Sequence, residues 1–73
     1  MSDEMIYTIR VFEGERLIAQ ERRLNDFNHA KRHAFEMLGV HAHIHQRRSL
    51  TPPTHVIVLD DMGTEVWKWT EDA

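Results

Sequence analysis

Cysteine is absent from the chain, proline occurs only as the adjacent pair Pro52-Pro53, glycine only at positions 14, 39 and 63, and serine only at Ser2 and Ser49. Each shortage excludes something. Without cysteine there are no disulfides, thiolate zinc sites, thiol nucleophiles or redox motifs, and the composition fits a reducing compartment. Three isolated glycines build no phosphate-cradling loop, and neither serine stands in a nucleophile elbow. No apolar run approaches the ~20 residues that cross a bilayer, and the acidic start Met-Ser-Asp-Glu lacks the positive charge of a signal peptide. The chain reads as soluble and cytoplasmic, with no membrane partner, no cofactor and no enzymatic activity.

What is present is one domain's worth of sequence, residues 1–73, with a formal net charge of −3. That total hides a strong asymmetry. Residues 1–21 set five acids against Arg10 and Arg16, and residues 49–73 set five acids against Lys68. Residues 22–48 carry Arg22, Arg23, Lys31, Arg32, Arg47 and Arg48 against Asp26 and Glu36, together with five of the six histidines. A basic centre between acidic flanks steers an acidic partner toward one side of the molecule; a solvated helix face beside a polar loop accounts for it equally well.

The apolar and β-branched run from Met5 to Phe12, followed by Glu13-Gly14, predicts a strand entering a tight turn. Arg16–Arg23 predicts the returning strand, polar at its far end as a protected edge should be. Asn25 or Asp26 can cap a helix, and Phe27, Ala30, Ala34, Met37 and Leu38 recur at helical spacing as far as Gly39, which is placed to end it. Residues 40–53 show no sustained period and predict a long mobile loop, so the ordered parts are expected at about 5–39 and 54–70. Thr54–Leu59, the turn Asp60-Asp61-Met62-Gly63 and Thr64–Thr70 predict a second hairpin. The expected fold is α+β in the order β-β-α-β-β: one helix packed on one face of a small, mainly antiparallel four-stranded sheet.

One helix covers one face of such a sheet, which leaves the other for a partner. Side chains alternate along a strand. Placing Trp67 and Trp69 under the helix with Ile57 and Leu59 puts Val56, Val58, Val66 and Lys68 on the open face, with Thr8, Arg10 and Phe12 beside them. The partner-binding residues expected from sequence are therefore Arg10, Val56, Val58 and Lys68, joined by the basic Arg22, Arg23, Arg47 and Arg48. In an extended segment His41, His43 and His45 would project together and could share a metal ion, but a solvated histidine-rich loop explains the run better, and no metal site is assigned.

The partner expected is another protein, with the chain itself monomeric. Nucleic acid is the alternative, since the same arginines suit phosphate. Against it stand a pI near 6 and aromatic residues that fall mostly outside the basic block, whereas single-strand binders interleave stacking with charge. The Glu13-Gly14 hairpin, the amphipathic Asn25–Leu38 helix, the charged loop and the Asp60–Gly63 hairpin together resemble, in length and arrangement, small phage-encoded inhibitors of bacterial RNA polymerase of the Xanthomonas phage type. That resemblance implies a protein that binds RNA polymerase and inhibits host transcription. The hairpin Gly14–Ile18 and the alanine-spaced helix (Ala30, Ala34) are also similar to small bacterial proteins of unassigned role.

Overall fold

The structure, a computed structural model, describes residues 6–24 and 26–70. Strands β1 (Ile6–Glu13) and β2 (Arg16–Leu24) precede helix α1 (Phe27–Arg47), and β3 (His55–Leu59) and β4 (Glu65–Thr70) follow it. The strands form one antiparallel sheet in the order β2-β1-β3-β4, with α1 across one face. This is the small α+β fold in the β-β-α-β-β order that the hydrophobic pattern predicts.

Local chemistry sets the element ends. Gly14 takes a positive φ of 63° at the first position of the two-residue turn between Glu13 and Arg16, a conformation that glycine adopts without steric cost. Asp26 caps α1, its Oδ1 accepting from the His29 amide at 2.8 Å; Asn25, the other capping residue expected from sequence, lies outside the described residues. In the β3–β4 turn the Asp60 carboxylate accepts from the Met62 and Thr64 amides, both at 2.9 Å.

The helix corrects one expectation. It does not stop at Gly39 but runs 21 residues to Arg47, roughly 31 Å at 1.5 Å per residue. The buried face continues past Gly39 on half-buried His41, Ala42 and His45. These follow Ala34 and Leu38 at helical spacing without being large apolar residues, so the stripe is hard to read by hydropathy. The true terminus is at Ser49, which adopts φ 55°. Its amide donates to the Gln46 carbonyl at 3.2 Å and the Leu50 amide to that of His45 at 2.8 Å, the paired bonds of a Schellman cap. The connection to β3 is thus about half the length expected, and it ends on Thr54, whose amide donates to the Phe12 carbonyl at 2.8 Å.

The core is small. Ile9, Val11, Ala30, Ala34, Met37, Val56 and Val58 are its buried members, with Tyr7, Ile18, Ala19, Phe27, Leu38, Trp67 and Trp69 packed around them. Both tryptophans lie on the helix side, as expected, where each meets the Phe35 ring edge-on at 5.3 and 6.0 Å between centroids. His33 joins α1 to β2, lying 3.2 Å from Glu21 and 3.4 Å from Glu36.

Val56 and Val58 require a second correction. Both are 0% exposed, and they pair with Trp69 and Trp67 under the helix. The cause is a register shift. Next to the turn Leu59 faces Glu65, and continuing that register would set Ile57 against Trp67. One extra residue in β4, Val66, advances the pairing so that Val58 meets Trp67. A one-residue shift exchanges the two faces of a strand, so β3 shows the helix its valines and presents Ile57 to the open side.

Candidate interaction surface

The open face follows from the buried one. Ile9 and Val11 are fully buried under the helix, so alternation turns Thr8, Arg10 and Phe12 outward. Strand pairing then assembles rows that cross the sheet. The central row reads Gln20, Arg10, Ile57, Lys68 from β2 to β4. Beside it Arg22 and Thr8 face Leu59, and on the other side Phe12 faces His55, which faces Thr70.

Three cations therefore share one face. The Arg10 Nε donates to Gln20 Oε1 at 2.7 Å, which holds the guanidinium across the β1–β2 pair. Among the described residues, none of Arg10, Arg22 and Lys68 forms an ion pair with a carboxylate. Arg10, Gln20, Arg22, Thr8, Leu59 and the Asp60–Gly63 turn enclose a shallow depression of about 280 Å³. At the other end the Phe12 and His55 rings stack at 4.9 Å and 9°. Burial of the His55 ring, with the Lys68 ammonium adding to it, pushes its pKa below the ordinary 6.5, against a smaller opposing effect of Glu65. His55 is thus held neutral at neutral pH and stacks as an uncharged ring.

Of the residues expected to bind a partner, the structure gathers Arg10, Arg22 and Lys68 and scatters the rest. Val56 and Val58 belong to the core. Arg47 ends α1 and Arg48 caps it, where positive charge favours the carboxyl end of the helix dipole; they belong to a folded helix end and not to an extended arm. Arg23 lies in β2 opposite Tyr7, and its side chain is outside the described residues. His41, His43 and His45 are helical, which turns His43 away from the half-buried face that carries the other two. Among the described residues no group of three or more metal-ligating side chains converges.

Ile57, Gln20 and the Phe12–His55 stack are missed by sequence reasoning. Alternation outward from Arg10 points to Gln20 once the hairpin register is known, but Ile57 and His55 are hidden by the bulge at Val66. No family model, curated protein or solved structure matches the chain.

Proposed function

We propose that this chain is a non-enzymatic protein-binding module that engages its partner through the open face of the sheet. The observation that carries this reading is the row Arg10, Ile57, Lys68. It is an apolar centre between two cations that have no carboxylate partner among the described residues, on a chain whose net charge is −3. Surfaces that combine a half-buried apolar residue such as Ile57 with flanking positive charge are suited to recognition, the charge steering encounter and the apolar contact adding affinity. The resemblance in element order to phage inhibitors supplies bacterial RNA polymerase as the first partner to test, with inhibition of host transcription as the consequence. Mixing the purified chain with bacterial RNA polymerase should give a complex that persists from low to high salt and lowers transcript yield. Free passage of the polymerase at both salts, with unchanged transcription, removes that partner.

A second reading has one specific observation in its favour. Phe12 and His55 stack beside Arg10 and Lys68, so folding joins Arg10 and Phe12 of β1 to His55 of β3 and Lys68 of β4 in one aromatic and charged surface. Single-stranded nucleic acid binds such surfaces. The margin counts against it, because Asp60, Asp61 and Glu65 border the same face and repel a polyanion. Titration with an oligothymidylate distinguishes the two: tight, strongly salt-dependent binding that Phe12→Ala removes favours nucleic acid, and its absence favours protein.

A further inference from the structure

Resting on the protein-binding reading, we infer that the open face receives an extended acidic segment of the partner, one carboxylate of which seats between Arg10 and Arg22. The Arg10 guanidinium has five N–H donors in a planar fork. Its Nε is committed to Gln20 at 2.7 Å, which orients the group and leaves the terminal nitrogens free for the two-point bond that arginine makes with a carboxylate. Arg22 stands on the same face one row along, opposite Thr8, while Gln20 stands opposite Arg10. Both arginines line the same depression. Two like charges lining one depression repel each other, and one incoming carboxylate relieves both.

The opposite wall decides what kind of acid fits. Asp60 spends its carboxylate on the amides of its own turn, and Asp61 is exposed beside it. A chain with a phosphate on every residue would press one of them against Asp61. A polypeptide instead places its single carboxylate at the arginines and a neutral or basic residue at the turn. Along β1 the position of Arg10 and that of Phe12 lie about 7 Å apart, two residues of extended chain. The same spacing in the partner sets an acidic residue on Arg10 and an apolar one, two positions away, on the Phe12–His55 stack and Ile57. The segment recognised is therefore acidic-x-apolar in extended conformation.

Selection of random displayed peptides on the full chain, followed by titration of one synthetic winner, tests this. The winners should carry Asp or Glu two positions from an aliphatic or aromatic residue. Changing that acid to its amide, or Arg10→Lys in the protein, should weaken binding by about tenfold or more, with the melting temperature of the Arg10→Lys variant unchanged. The Arg10 Nε–H resonance should shift on titration. Winners that lose binding with Ile57→Asp but need no acid and ignore Arg10→Lys overturn the inference and leave the protein-binding reading standing. No winner on the open face, together with tight oligothymidylate binding, overturns both.

Discussion

Gly39 lies exposed near the middle of α1, and a Cβ added there meets nothing within 4 Å. Glycine inside a helix costs about 1 kcal/mol relative to alanine, so Gly39→Ala should stabilise the domain by about that amount. Ser49 holds φ 55° at the helix end, where a side chain is disfavoured, so Ser49→Gly should add about 0.5–1 kcal/mol. Urea melts of the single and double variants should show additive gains; a loss at Gly39→Ala would mean that the helix ends there, as apolar spacing alone implies. His55 yields a prediction in pH. Its folded pKa lies below the unfolded 6.5, so the unfolded chain takes the proton first as pH falls. The stabilisation it contributes is complete above about 6.5 and is lost progressively as pH drops below that value. Between about pH 7.5 and 5.5 the wild type should lose more stability than His55→Gln; equal losses would show that the ring is not held neutral by its surroundings.

Among the elements, the strands and their order along the chain were legible because β-branched runs broken by Gly14 and Gly63 leave few alternatives, and Asn25-Asp26 marked the helix start. Two features were not legible, each for a physical reason. The second half of α1 buries histidine and alanine where a reader looks for leucine, and a mid-helix glycine resembles a stop. The face of β3 depended on the single extra residue Val66, and a bulge has no strong signature in a strand of only six residues. The register is directly testable. Val56→Ala and Val58→Ala each remove buried methyl groups and should cost about 1.5–3 kcal/mol, while Ile57→Thr, at a half-buried position on the open face, should cost about 1 kcal/mol or less. The reverse pattern in denaturant melts would put β3 one residue out of register. The site was half legible: alternation put Arg10 and Lys68 outward, and the same bulge hid Ile57 and His55 beside them.

For the molecule as a whole, two kinds of surface come from one sheet. The helix-covered face supplies the small aliphatic core of a domain with no disulfide, which leaves modest stability in reserve. Among the described residues the other face contributes no buried apolar side chain beyond Leu59, which is 8% exposed, and so tolerates the cations that a core rejects. Charge blocks that look sequential, basic in the centre and acidic at both flanks, are redistributed by the fold: Arg10 and Lys68 come from the acidic blocks, and Arg22 alone joins them from the basic one. In the function proposed, this redistributed face meets the partner, and the helix end does not. The most direct measurement compares the chain carrying Arg10→Glu and Lys68→Glu with one carrying Arg47→Glu and Arg48→Glu, reading association with the partner at low and high salt alongside the thermal melt. The first pair should slow association and flatten its salt dependence with the melt almost unchanged, and the second pair should leave association intact. Loss of association from Arg47 and Arg48 reversal, with Arg10 and Lys68 reversal silent, would contradict it.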